Sequence, residues 1–163
     1  MIITVITATV IISTNYVKKI KLHTKAIYQF YLMIENIEIL LSHNNIDIEE
    51  IFKILSLNNN YNLLNFINKI CENMKNDKNI LNELNILQIN NNKFFNNEEK
   101  ETIINFFSLL GKSDLNGQII HCRTYKEIFK KKLKESEVKE VTECKSSGIL
   151  IFGLGFLIVI LII

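Results

Sequence analysis

The sequence predicts an all-α protein, a helical bundle flanked by N- and C-terminal transmembrane helices. Three observations carry that reading. The 163 residues include no proline. Through the middle of the chain apolar side chains recur three and four positions apart, the spacing of a buried helix face, with hardly any strand-like alternation. All 19 basic and 17 acidic residues fall between Lys18 and Lys145, so both ends are uncharged. The expected organisation is an N-terminal membrane segment over 1–17, a helical domain over 18–145 and a C-terminal anchor over 146–163.

Taken in order, Met1 to Val17 is rich in Ile and Val but interrupted by Thr4, Thr7, Thr9, Ser13, Thr14 and Asn15. Hydroxyls can bond back to helix carbonyls, so a membrane span remains the expectation. No charged region precedes the apolar run and no small-x-small site follows it, which argues against a cleaved signal peptide. The first helix continues from there through Ile20, Ile27, Tyr31, Ile34, Ile37 and Leu41, and stops at Ser42-His43-Asn44-Asn45. A second helix starts at Asp47, whose carboxylate can cap free amides while Glu50 reaches back in a capping box. It buries Ile48, Ile51, Phe52 and Leu55 and ends at Asn58-Asn59-Asn60. A third carries Leu63, Ile67, Ile70 and Met74, and a fourth, capped by Asp77, carries Leu81, Leu84 and Gln88.

Asn90-Asn91-Asn92 breaks the pattern and predicts a flexible loop. After Asn97 a fifth helix presents Ile103, Ile104, Phe106, Phe107 and Leu110, with Gly111 suited to the left-handed stop position. The last helix begins near Asp114 with a stripe of Leu115, Ile119, Cys122, Phe129 and Leu133. From Lys134 to Lys145 it is mostly charged, which predicts a solvated stalk leading to the anchor. The ending Gly148 to Ile163 has 16 residues without a polar side chain. At about 1.5 Å per residue they reach roughly 24 Å, a little short of a ~30 Å hydrocarbon core, and Ser146, Ser147 and a snorkelling Lys145 can make up the difference. Gly148, Gly153 and Gly155 belong to this anchor. Lysines 18, 19, 21 and 25 follow the first apolar segment and Lys130, Lys131, Lys132, Lys134, Lys139 and Lys145 precede the second. By the positive-inside rule the central domain is therefore cytoplasmic.

Composition excludes several functions. The 22 Asn, 30 Ile and 18 Lys beside a single Arg are the bias of an AT-rich coding sequence, and a net charge of +2 gives no basic face for nucleic acid. The lysine run at 130–134 has no aromatic interleaving, sits beside Glu127, Glu135 and Glu137, and reads as a solvated helix face near anionic lipid. Cys71, Cys122 and Cys144 form no paired motif, so neither a disulfide framework nor a zinc knuckle is expected. No phosphate-binding glycine loop, HExxH or GxSxG occurs, and His121 and Cys122, adjacent on a helix, point about 100° apart. His23 and His43 have no carboxylate at metal-ligand spacing. No enzyme activity, cofactor or metal is expected. One polar constellation remains: Gly111, Asp114, Gln118 and His121. The last three share a helical face at i, i+4 and i+7, which reads either as a helix-hairpin corner or as a partner-binding face.

The spacing Leu110-Gly111-x-x-Asp114-x-x-x-Gln118-x-x-His121, the ending Lys145-x-x-Gly148 before an apolar tail, and Glu38-Ile39 before a turn resemble stage III sporulation protein AB of endospore-forming bacteria. The turn after Glu38-Ile39 departs from the family, which usually has a glycine and a proline where this chain has Ser42 and Asn45. The resemblance implies a fold similar to the cytoplasmic domain of the type II secretion F protein. It also implies a place in the mother-cell membrane facing the forespore, in a channel-like complex. There the protein would work as a platform beside a secretion-type ATPase, stage III sporulation protein AA, and other membrane proteins of the complex, with Gly111, Asp114, Gln118 and His121 as contact face or hinge. A small membrane-perturbing protein, pore-forming or holin-like, is the alternative from a different class.

Overall fold

The computed structural model describes residues 2–44, 46–74 and 83–162, and every regular element among them is helical. Two long helices, α1 (Ile2–Asn44) and α6 (Leu115–Ile162), run antiparallel and form the spine. Between them in sequence lie α2 (Ile48–Ser56), a 3-10 turn at Asn59–Tyr61, α3 (Phe66–Met74), α4 (Glu83–Asn90) and α5 (Asn97–Leu109). At about 1.5 Å per residue the spine helices are roughly 65 and 70 Å long, several times what the short helices can cover. Their pairing runs one for one in opposite senses: Thr24 meets Ser136, Phe30 meets Phe129, and Glu38 meets Arg123. The same register carries Ser147, which is buried, to the level of Ser13.

The core is an aromatic knot with Phe30 at its centre. Its fully buried ring contacts Phe129 on α6 at 4.4 Å, Phe106 and Phe107 on α5 at 5.9 and 6.0 Å, Phe95 at 6.2 Å and Phe66 on α3 at 6.5 Å. Ile27, Met33, Ile34 and Ile37 extend this face along α1, and Ile51, Phe52 and Leu55 close it from α2. Large apolar side chains of this kind stabilise by about 1.5–3 kcal/mol each when fully buried.

Several local expectations turn out differently. Asp47 occupies the N-cap position of α2 but makes no side-chain cap bond, so no capping box forms there. The box is on α5 instead: Asn96 Oδ1 accepts the Glu99 N–H at 2.9 Å, and Glu99 Oε2 accepts the Asn96 N–H at 2.8 Å. The loop after Asn90 is pinned rather than free, because buried Asn92 donates to the Leu63 carbonyl at 2.9 Å and accepts the Phe94 N–H at 2.8 Å. The charged segment from Lys134 to Lys145 is not an isolated stalk, since one face of it lies on α1 through buried Ser136. Leu115 is 40 % exposed, outside the core that takes in Cys122 and Phe129. The expected cap at Asp77 and the apolar contact at Leu81 lie outside the described residues, as does the side chain of Leu84.

The helices α1 and α6 pass without interruption through the expected domain boundaries at Val17 and Lys145. Among the described residues no helix is long and apolar enough to cross a membrane. Most side chains of the C-terminal apolar run, and those of 1–6 at the N-terminus, lie outside the described residues.

Candidate functional site

The four motif residues meet at the corner between α5 and α6. The left-handed conformation that lets the chain leave α5 falls on Gly111, whose φ is 82°, a region that costs a side-chain-bearing residue about 1–2 kcal/mol. Asp114 then caps α6: its Oδ1 accepts the Gly117 N–H at 3.0 Å, and its carbonyl accepts the Gln118 N–H at 2.9 Å. A Cβ at position 117 would lie 2.8 Å from that carboxylate oxygen, so Gly117, which sequence reasoning passed over, keeps the cap in place. Gln118 Nε2 donates to the Ser113 carbonyl at 3.0 Å, while its Oε1 is buried without a partner among the described residues. His121 reaches across the corner. Its Nε2–H donates to the Phe106 carbonyl at 2.8 Å, its ring stacks on Phe106 at 5.2 Å and 4°, and Tyr125 closes on it at 4.7 Å. Asp114 is exposed, whereas Gln118 and His121 are half-buried, so the outward surface of the corner is small.

Two polar bridges that sequence spacing did not reveal join the spine helices. Near the corner, Glu38 of α1 accepts Arg123 Nε at 2.8 Å and the Lys126 ammonium, both from α6. Burial pushes the Glu38 carboxyl up, but the Lys126 and Arg123 hydrogen bonds outweigh it and hold the group below the usual carboxylate range. The Lys126 ammonium is correspondingly held above its ordinary value, chiefly by its bond to Glu38. At the other end of the bundle, His23 Nε2–H donates to both oxygens of Glu99 at 3.0 Å. The Ser136 hydroxyl lies 3.2 Å from His23 Nδ1 and shares a 2.8 Å bond with Thr24. Burial pushes the Glu99 carboxyl up; bonds from His23 and the Asn96 amide more than reverse it. Glu38 stands out in the sequence beside Ile39, but its partners lie 85 and 88 residues away.

Cys122, next to His121, is fully buried in the core, and burial pushes its thiol up to about 12, far from a nucleophilic thiolate. Among the described residues no cluster of His, Cys, Asp and Glu could hold a metal ion. Of the three anchor glycines, all on α6, Gly153 has open space around the position of a Cβ. A family model described as stage III sporulation protein AB matches residues 1–163, the whole chain. No curated protein and no solved structure matches it.

Proposed function

The chain belongs to the stage III sporulation protein AB family, and from that membership, which implies a role in sporulation, we propose that it is a non-enzymatic membrane platform. In this reading the two uncharged ends form a helical hairpin through the mother-cell membrane facing the forespore, and the bundle stands on the cytoplasmic side. It presents the α5–α6 corner to a secretion-type ATPase, stage III sporulation protein AA, within a channel between the two cells, and an F-protein-like fold would suit that task. The supporting observation is the antiparallel register of α1 and α6. It brings residues 2–17 and 146–162 to the same end of the molecule, directly beyond the flanking lysines. Two helices emerging together can bury their Thr and Ser hydroxyls against one another rather than in lipid.

Topology is tested with Leu57→Cys in a Cys144→Ser background. Residue 57 is 83 % exposed, whereas native Cys71 is buried and would report poorly. A membrane-impermeant maleimide should label it in opened but not in intact cells; labelling in intact cells refutes the cytoplasmic orientation. Partnership is tested by co-purification of the ATPase with the Asp114→Ala/Gln118→Ala double variant, which should lose the complex while keeping a cooperative thermal transition. Unchanged binding removes the corner as contact face. Liposome leakage by the two apolar segments alone, with a replaceable middle, would instead favour the membrane-perturbing reading.

A further inference from the structure

We propose that a groove at the base of the bundle binds the phosphate headgroup of an anionic phospholipid, an inference that rests on the membrane reading above. The groove, about 620 Å³, opens between α1, α6 and the turn at Lys93–Asn96. Lys18 and Lys19 of α1, Lys93 of the turn and Lys139 of α6 line it. None of the four has a carboxylate within ion-pair distance among the described residues, whereas Lys126, Lys130, Lys131 and Lys132 farther along α6 each have one. Glu99, on the helix that follows the turn, is already engaged by His23 and by the Asn96 amide. Four lysines thus line one groove with no ion-paired carboxylate among the described residues, and a phosphate diester there would supply the missing counter-charge.

The rest of the lining favours a lipid over free phosphate. Phe94 is half-buried beneath the Lys93 ammonium, which sits 5.5 Å from the ring centroid. Tyr16, 46 % exposed, stands at the rim, an amphipathic ring of the kind found at headgroup level. Lys18 and Lys19 follow directly on the uncharged residues 2–17, so at about 1.5 Å per helical residue their backbone lies within roughly 3 Å of where that segment ends. A headgroup in the groove would have its glycerol and acyl chains at the mouth, against the apolar helices. Basic pockets between helices at the cytoplasmic membrane face are the established chemistry of such recognition.

The test uses the full chain in nanodiscs of phosphatidylcholine carrying a minor fraction of cardiolipin or phosphatidylglycerol, with protein-bound lipid read by native mass spectrometry. The Lys19→Gln/Lys93→Gln/Lys139→Gln variant should lose its preference for the anionic lipid by about tenfold or more. A Lys130→Gln/Lys131→Gln/Lys134→Gln control removes the same charge from α6 outside the groove and should change it by less than about twofold. Equal losses in the two variants mean a diffuse surface effect and overturn the site. Displacement of the lipid by inorganic phosphate at comparable concentration overturns the lipid assignment in favour of a free anion. Carbonate extraction separates this from the membrane reading. Release of the wild-type chain refutes both, while retention with an undiminished lipid preference in the groove variant refutes the headgroup site alone.

Discussion

Replacing His121 with alanine decides whether the α5–α6 corner is a clasp or a surface for another protein. The ring contributes two separable interactions. Its hydrogen bond to the Phe106 carbonyl, 2.8 Å long, satisfies a backbone acceptor in a half-buried place, and stranding such an acceptor costs about 1–3 kcal/mol. Its stacking on Phe106 and contact with Tyr125 add about 0.5–1.5 kcal/mol for each pair. Water can reach part of the vacated site, which brings the sum for His121→Ala to about 2–3 kcal/mol. In a chain of this size that lowers the thermal midpoint by roughly 4–12 °C. His121→Phe keeps the rings together and loses only the hydrogen bond, so its loss should be about half as large. The assay is circular dichroism of the full chain in detergent, scanned at 222 nm, beside co-purification of the ATPase. A His121→Ala protein that melts within about 1 °C of wild type, yet no longer retains the ATPase, would refute the clasp and make the ring a contact residue.

Four further outcomes follow from the same geometry. Phe30→Ala removes the ring that touches five others and should cost about 3–5 kcal/mol by denaturant unfolding, a large part of a domain's total stability. Gly111→Ala should cost about 1–2 kcal/mol because φ is 82° there, whereas Gly153→Ala, which meets open space, should be close to neutral. Glu38 and Glu99 titrate below their ordinary values in the folded protein. Their contribution is therefore complete above the unfolded-state value near 4.5 and lost as pH falls through the depressed folded values; Glu38→Gln should flatten the acid limb of a stability profile, and adding Glu99→Gln should flatten it further. Cys122, buried and with its thiol pushed up to about 12, should resist maleimide at pH 8 under native conditions while the half-buried Cys144 reacts, and equal rates would contradict the packing around Cys122.

What the sequence disclosed and what it hid divide along a physical line. Periodicity reports a helix face, so Ile27, Ile34, Ile37, Phe52, Ile67, Ile70, Ile103, Phe106 and Phe129 were legible as core. Gly111 was legible because only one residue type adopts its backbone angle without strain. Asp47 misled because a capping residue type marks a place where a cap could form, and the carboxylate there makes no such bond. Asn92 was hidden by its neighbours: in a run of asparagines, composition cannot distinguish a solvated amide from one that ties Leu63 to Phe94. The partners of Glu38 and His23 were beyond reach for a different reason: pairs separated by 85 to 113 residues follow from the register of α1 and α6, and the His23–Glu99 pair, 76 residues apart, from the packing of α5 against α1, neither of which is local spacing.

That register is itself in part the consequence of those hidden pairs. Sliding α1 along α6 by one helical turn, about 5.4 Å, would set another apolar ridge against α6 but would pull Phe30 off Phe129 at the centre of the core. The polar bridges are no more tolerant. A one-turn slip would take Glu38, whose side chain is only 12 % exposed, away from both cations and would separate Thr24 and Ser136 in a buried place. Leaving such groups unpaired costs several kcal/mol, so the bridges act together with the aromatic core in selecting one alignment. The alignment in turn sets a length: from Leu115 to Lys145, α6 rises about 45 Å, so the corner is held at that height above the start of the uncharged C-terminal run. On the proposed platform reading this would be the useful property, because force or position applied at the corner would reach the uncharged end through two helices held in one register. Glu38→Ala paired with Thr24→Val should loosen the register without emptying the core. Disulfide trapping between cysteines introduced one turn out of register on α1 and α6 should then succeed in the double variant and fail in the parent, and trapping at equal rates in both would mean that the apolar face alone fixes the alignment.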